Sequence, residues 1–347
     1  MGKCLGKGTL ILMSDGLTKK VEDIREGDLV MGPDSSSRRV LRIHSGEDQL
    51  FRVKINKGGE FICNSQHSLI LYDHSKKAEI LLTPEQFLSL PNSSKNQLVH
   101  RRIQVDFPEI PLSIDPYFIG LWLGNGHLTI KHVVITNPDQ EVISYLENVA
   151  DSYKVKLISR GITHSLVGHT RSREDPSSIL RKEIRLLKGE GEKVIPSKYL
   201  VNSRENRLAF LAGFLDADSY LGNRCFYLVT KYEGIAQDVH FLCQTLGFQA
   251  TLRPMTGTIK SLGFTENYWR LCISGNIDLI PTKIKRKQAA PRRQIKNVLN
   301  CGIDVSPAGI GEYYGFKTDG DHRFLLSDCS IVHNSYLASQ ADDPANI

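Results

Sequence analysis

An asparagine flanked by His333 and Ser335 near the end of the chain, and a cysteine at position 4 near its beginning, are the residues whose types and order carry chemistry. The Asn334 side-chain amide can attack its own backbone carbonyl and cut the chain after itself. His333 can hydrogen-bond that carbonyl and help the leaving amine depart, and the Ser335 hydroxyl supplies a nucleophile immediately downstream. At the other end, the Cys4 thiol can attack the carbonyl of Lys3. An amide is a poor leaving group, so converting that peptide to a thioester needs a proton for its nitrogen and a donor for the tetrahedral oxyanion. His67 can meet the first need and Asn64 the second. Taken singly, an asparagine is a turn former and a histidine among apolar residues is a structural one; the pairing with both chain ends lifts them above that reading.

These groups act together only on a scaffold that joins the two ends. The apolar run Leu10–Met13 puts Cys4 at the mouth of a strand. Residues 5–72 read as short strands divided by turn clusters, with a loop over 31–37 and a hairpin of Leu50–Ile55 and Glu60–Cys63 around Lys57-Gly58-Gly59. The last forty residues return to that style, Asp319-Gly320 lying between Tyr313–Phe316 and Arg323–Leu326. The two ends therefore predict one all-β unit. At 347 residues and 40% hydrophobic, the chain is long enough for two or three cores. No apolar run approaches the roughly 20 residues that span a bilayer, and Met1-Gly2-Lys3 is no signal peptide. Seven cysteines without a Cys-x-x-Cys predict reduced thiols in an intracellular, reducing compartment, rather than a disulfide framework or zinc site. A formal net charge of +6 permits a nucleic-acid partner.

The middle of the chain differs and is duplicated. Phe118–Gly126 aligns with Leu211–Ser219, an offset of 93 residues, and the same offset carries Val133–Thr136 onto Phe226–Val229 and Val155–Leu157 onto Phe248–Ala250. Each copy reads helix, strand, helix, strand. Gly120 and Gly124 in the first copy, Gly213 and Ala217 in the second, form small-residue stripes that let two helices pack backbone to backbone. That packing predicts Asn125 and Asp218 close together at the helix C-termini, where a pair of carboxylates would oppose the helix dipoles and call for a cation. Metal-assisted phosphodiester hydrolysis is the chemistry such a site serves.

On these residues the chain resembles an intein. Cys4 with its Gly-Thr-apolar sequel resembles the family's first block, Asn64-x-x-His67 its second (usually Thr-x-x-His), and Tyr314–Leu326 with Ile331–Ser335 its last two; Asn64 and Tyr314-Gly315 resemble the vacuolar-ATPase type. The repeated helices resemble the LAGLIDADG motifs of homing endonucleases, with Asn125 standing where the family has an acid. The resemblance implies an all-β horseshoe splicing domain of hedgehog/intein type built from residues 4–109 and 291–334. Residues 1–3 and 335–347 are then extein remnants. An α+β endonuclease domain over 110–290, with pseudo-symmetric repeats at about 116–190 and 208–282, interrupts the splicing domain. It implies autocatalytic splicing by Cys4, Asn64, His67, His322, His333, Asn334 and Ser335 without a cofactor, excising 4–334 and joining Lys3 to Ser335. Gly315, where many inteins carry an aspartate, has no side-chain chemistry. For the endonuclease it implies Asp218, Asn125 and Lys193, with Asp218 as metal ligand and Mg2+ as cofactor, cutting being impaired by Asn125. A basic run, Lys283, Lys285, Arg286, Lys287, Arg292 and Arg293, is a candidate phosphate contact or a solvated linker, and its segment 283–287 lies where a second endonuclease lysine is often found. The partners implied are host exteins in cis and double-stranded DNA, with no membrane and a monomeric chain. The alternative is a metal-dependent DNA endonuclease or DNA-binding protein as the main activity.

Overall fold

A computed structural model of the chain describes residues 2–128, 132–168, 177–188, 192–259, 264–291 and 293–334. It divides into two compact units, one from the residues up to Val105 and from Lys296 onward, the other from Asp106–Ile295.

The first unit is built of strands from both chain ends. Before the second unit come β1 (Leu5–Gly6), β2 (Leu10–Leu12), β3 (Thr18–Lys20), β4 (Leu29–Met31), β5 (Ser37–Ile55), β6 (Glu60–Asn64), β7 (Leu69–Asp73), β8 (Ala78–Leu82), short helices α1 (Pro84–Ser89) and α2 (Asn92–Lys95), and β9 (Leu98–Arg101). Within the second unit lie α3 (Pro116–Asn125), β10 (Gly126–Leu128), β11 (Val133–Thr136), α4 (Gln140–Ser152), β12 (Lys156–Arg160), β13 (Thr163–Val167), α5 (Ser177–Leu186), α6 (Ser197–Leu200), α7 (Arg204–Asp218), β14 (Ser219–Gly222), β15 (Cys225–Thr230), α8 (Glu233–Thr245), β16 (Gln249–Ile259) and β17 (Phe264–Ser274). The first unit resumes with β18 (Asn300–Cys301), β19 (Ile303–Thr318), β20 (Arg323–Leu325) and β21 (Ile331–His333).

The hairpin expected around Lys57 forms between β5 and β6, with Lys57 itself in the left-handed region at φ 61°. β5 extends far beyond that hairpin, as one side of a long ribbon with β19. β1 pairs with both β19 and β6, and β6 with β5, so the four strands close a circuit around the first residues of the chain. Along β5 the pleat alternates: Phe51, Val53 and Ile55 are buried while Arg52 and Lys54 are exposed, and His44, Gly46 and Asp48 share one face. The core beneath takes Leu5, Val53 and Phe61 from one end of the chain and Phe316, Phe324 and Val332 from the other.

In the second unit, the offset of 93 reappears in the elements. α4 and α8 cover residues 140–152 and 233–245, and the helix ends Asn125 and Asp218 correspond. The two four-stranded antiparallel sheets run β10-β11-β13-β12 and β14-β15-β17-β16. Each half therefore carries two strands after each long helix, where the sequence pattern predicts one. β10 and β14 begin directly at the helix ends, with no loop between helix and strand to mark a new element. α3 starts at Asp115, whose carboxylate accepts from Tyr117 N, followed by Pro116 at the first helical position. α3 and α7 pack through their glycines: a Cβ on Gly120 would lie 2.1 Å from Phe210 O, and one on Gly213 would lie 2.0 Å from Tyr117 O. Among the described residues no helix is long and apolar enough to cross a membrane.

Candidate functional sites

The first site is the row of residues that the strand circuit assembles around Cys4. Leu5 pairs with Tyr314 on β19 and with Cys63 on β6, so Cys4, one residue earlier, stands between Gly315 and Asn64. Gly315 in turn pairs with His44 on β5. Cys4 is wholly buried. Its backbone N–H donates to Asn64 Oδ1 at 2.9 Å, and its carbonyl accepts from Asn64 N at 3.2 Å. Asn64 Nδ2 donates to the Gly2 carbonyl at 3.0 Å and to Asp48 Oδ2 at 3.3 Å. The amide thus holds the nitrogen of the Lys3–Cys4 peptide. Its NH2, the oxyanion donor expected from sequence, is turned toward the Gly2 carbonyl and the carboxylate of Asp48. Asp48 is itself held by Ser65 Oγ at 2.8 Å. The thiol donates to the Gly2 carbonyl at 3.3 Å and lies 3.1 Å from His44 Nε2. Neither His44 nor Asp48 was singled out from sequence; their i, i+2, i+4 relation with Gly46 along β5 was the available signal.

His67 is buried beside this row, edge-on to Phe61 at 6.0 Å. Loss of hydration pushes its pKa down to about 3, assisted by the charges of His333 and Lys3 and opposed by the backbone of Cys4. It is therefore neutral at ordinary pH. The same cause pushes the Cys4 thiol up to about 12.

The C-terminal residues gather on the β20–β21 hairpin, where His333 pairs with Arg323. Asn334 N donates to the His322 carbonyl at 3.2 Å, and the ring of His322 meets that of His333 edge-on at 6.3 Å. His322 Nδ1 is 2.7 Å from the Thr318 carbonyl. Asn334 is 1% exposed, and its side-chain amide reaches no hydrogen-bond partner among the described residues. Burial, then the charge of Lys3, lowers His333 to about 4. Lys3 thus acts on both His67 and His333, which ties the N-terminal and C-terminal groups to one neighbourhood. Ser335 lies outside the described residues.

The second site is at the C-terminal ends of α3 and α7. Asn125 Nδ2 donates to the Ala217 carbonyl at 2.8 Å, and a Cβ on Gly124 would lie 3.4 Å from that of Asp218, so the expected juxtaposition is present. Lys193 Nζ donates to the Leu123 carbonyl at 2.7 Å and lies 5.0 Å over the Trp122 ring. Lys287 Nζ donates to the carbonyls of Leu215 and Asp216 at 2.8 and 2.9 Å. Each lysine thus caps the free carbonyls of one helix, where a cation also meets the negative end of the dipole. Within the basic run, the counterpart of Lys193 is accordingly Lys287. Lys287 is 6% exposed and is not a surface phosphate contact, correcting its place in that run. Lys283 lies 4.7 Å over the Tyr117 ring, with its N–H on Asp216 at 2.6 Å. Arg286 pairs with Asp139 at 2.8 Å, and Lys285 N donates to Glu141. Arg293 is exposed, and Arg292 lies outside the described residues.

Asp218 lines an open cleft of about 690 Å3 with Tyr220, Tyr227, Arg286 and Lys287. Desolvation raises its carboxyl above the usual range, against the pull of Lys287 and Lys193. Among the described residues no group of three or more His, Cys, Asp or Glu side chains is placed to hold a metal ion. The donors at the paired helix ends are one carboxylate and one amide whose NH2 is committed to Ala217, flanked by two lysines. Such a set does not fit a firmly held divalent cation.

Residues 4–89, the segment with Cys4, Asn64 and His67, match the family model described as a Hom_end-associated Hint. Among curated proteins, the chain is 24% identical over 374 residues to the replicative DNA helicase DnaB of Mycobacterium intracellulare, covering 97% of this chain and 59% of that protein. It is 41% identical over 51 residues to a V-type proton ATPase catalytic subunit of Candida tropicalis, covering 15% of this chain and 5% of that one. The chain therefore spans less than two thirds of the length of these relatives. Among solved structures, the gp41-1 intein matches with a TM-score of 0.23 and 17% identity over 29% of this chain and 70% of its own. Variants of the homing endonuclease I-DmoI match with a TM-score of 0.31 and 14% identity over 47% of this chain and 89% of theirs.

Proposed function

We propose that the chain is a self-splicing element that carries an endonuclease-like unit within it. The observation that carries this reading is the seating of the Lys3–Cys4 peptide: its nitrogen is held by Asn64, its thiol is buried beside a base, and Asn334 is buried on the hairpin of the same unit. Cys4 attacks the Lys3 carbonyl to give a thioester, and the Ser335 hydroxyl takes over the acyl group. Asn334 then cyclises to a succinimide with His333 and His322 beside it, freeing residues 4–334, and an ester-to-amide shift joins Lys3 to Ser335. His67, being neutral, serves as a hydrogen-bonding group as the C–N bond breaks and not as a standing acid. No external reactant enters; proximity of the two ends supplies much of the acceleration. The exteins are the host protein's own flanking segments, and the seven free cysteines suit a reducing compartment, the chain acting as a monomer.

For the second unit, the paired helix ends, their two capping lysines and the cleft at Asp218 support a LAGLIDADG-like unit with pseudo-symmetric halves that binds double-stranded DNA. Its cutting is impaired, because Asn125 and Asp218 together offer one carboxylate and do not make a firm seat for the Mg2+ that the resemblance implies. The splicing reading is tested by intact-mass analysis of the full chain over time, beside Cys4→Ala and Asn334→Ala variants. Joined flanking segments and a free fragment of residues 4–334, both missing from the variants, are expected; an unchanged precursor under reducing conditions would refute splicing.

A further inference from the structure

We propose that His44 is the general base that opens the reaction at Cys4, an assignment that rests on the splicing reading above. In the row Asn64–Cys4–Gly315–His44, the residue between the thiol and the imidazole has no side chain, so the ring reaches across β19 to the sulfur. A Cβ on Gly315 would lie 2.6 Å from His44 Nε2 and 2.8 Å from Cys4 Sγ, and one on Gly2 would lie 2.4 Å from the same Nε2. Two glycines therefore leave the space that this one ring fills. The thiol proton has two acceptors in reach, the Gly2 carbonyl at 3.3 Å and His44 Nε2 at 3.1 Å. Only the imidazole can carry the proton away.

The step balances without another reactant. His44 Nε2 takes the proton as Sγ bonds to the Lys3 carbonyl carbon. In the five-membered ring so formed, sulfur and nitrogen sit on the same carbon, so the imidazolium beside one reaches the other. It returns the proton to the Cys4 nitrogen as the C–N bond breaks, leaving a thioester and a free amine. Burial lowers the pKa of His44, which keeps it in the base form at neutral pH, whereas the buried thiol is not ionised in advance. A positioned base at such a step contributes about 100- to 10,000-fold.

The test uses the full chain with Asn334→Ala and Ser335→Ala, so that only the N-terminal step proceeds, and dithiothreitol to release Met1–Lys3 from the thioester, followed by intact mass. His44→Gln is expected to slow that release at least about 100-fold. Asn334 cyclisation, measured in Cys4→Ala with and without His44→Gln, is expected to agree within about twofold, because the His44 imidazole lies at the sulfur of Cys4. Release from the His44→Gln chain at the rate of the chain retaining His44 would overturn the proposal. Absence of release and of cleavage after Asn334 with His44 intact would instead overturn the splicing reading. Should His44→Gln impair both reactions, the chain retaining His44 decides: because burial lowers the pKa of His44, its release rate should already be level at neutral pH. A rate that keeps rising tenfold per pH unit to pH 10, as for a thiol ionised by hydroxide, would overturn the base role.

Discussion

Replacing Gly213 by alanine should destabilise the second unit by about 3 kcal/mol, although alanine is the better helix former. The new Cβ would lie 2.0 Å from Tyr117 O, 2.8 Å from Tyr117 C and 2.9 Å from Leu121 N, all backbone atoms that cannot rotate away. Restoring an ordinary separation of about 3.4 Å requires α3 and α7 to part by about 1.4 Å at this point, and a gap of even 0.5–1 Å forfeits a quarter to a half of each facing contact. Overpacking of this kind costs about 1–3 kcal/mol or more. Splaying a pair that buries Phe118, Leu121, Leu211 and Phe214 completely or nearly so puts the cost at about 4 kcal/mol, of which helix propensity returns about 1. The assay is urea unfolding followed by tryptophan fluorescence. The only two tryptophans, Trp122 and Trp269, both lie in this unit, so the signal reports it alone. With a slope of about 2 kcal/mol/M the midpoint should fall by about 1.5 M. Gly234→Ala on α8 is the control: nothing lies within 4 Å of its Cβ, and it should stabilise by about 0.5 kcal/mol. A Gly213→Ala chain as stable as the unaltered one, or more so, would refute the close backbone packing.

Three further outcomes are expected. Gly315→Ala, whose Cβ would fall on the His44 ring and the Cys4 sulfur, should slow dithiothreitol-dependent release of Met1–Lys3 by at least about tenfold in the mass assay. Asn125→Asp replaces the amide donated to Ala217 O with a carboxylate beside Asp218. Without metal it should lower stability by about 1–2 kcal/mol in the fluorescence assay, and millimolar Mg2+ or Mn2+ should restore more than it gives the unaltered chain. Desolvation lowers Lys193 to about 8 in the folded chain against 10.5 ordinarily, so between those pH values the unfolded chain binds more protons and stability from this group rises with pH. Urea titrations at pH 7.5 and 10 should show that rise reduced in Lys193→Met, by a modest amount because the side chain is partly hydrated.

Much of this was legible in the chain because the informative residues come in local patterns. Asn64 and His67 are three apart, His333 and Asn334 are adjacent, and the 93-residue offset repeats without a gap. His44 was not legible for the opposite reason. It meets Cys4 only through the register of β5 with β19, whose paired residues His44 and Gly315 are 271 positions apart. No periodicity within either strand announces that register. The choice of Lys287 over Lys283 was closed for a related reason: a one-turn helix at Lys285–Lys287 turns one lysine inward to the carbonyls of α7 and leaves the other over tyrosine rings. The orientation of the Asn64 amide is not legible either, since which end of it faces the peptide depends on Asp48, sixteen residues earlier.

The pairing of β5 with β19 also sets a clock. On a ribosome adding about 5–20 residues per second, the 248 positions from Ile55 to Ile303 take about 12–50 s to synthesise. Throughout that interval Cys4 has neither Gly315 nor the seat for His44 beside it, because the strand that completes the row has not been made. On the splicing reading proposed above, the nascent chain therefore carries its thiol past the ribosome unarmed, and the first bond can be attacked only after nearly all of the sequence that must rejoin the ends exists.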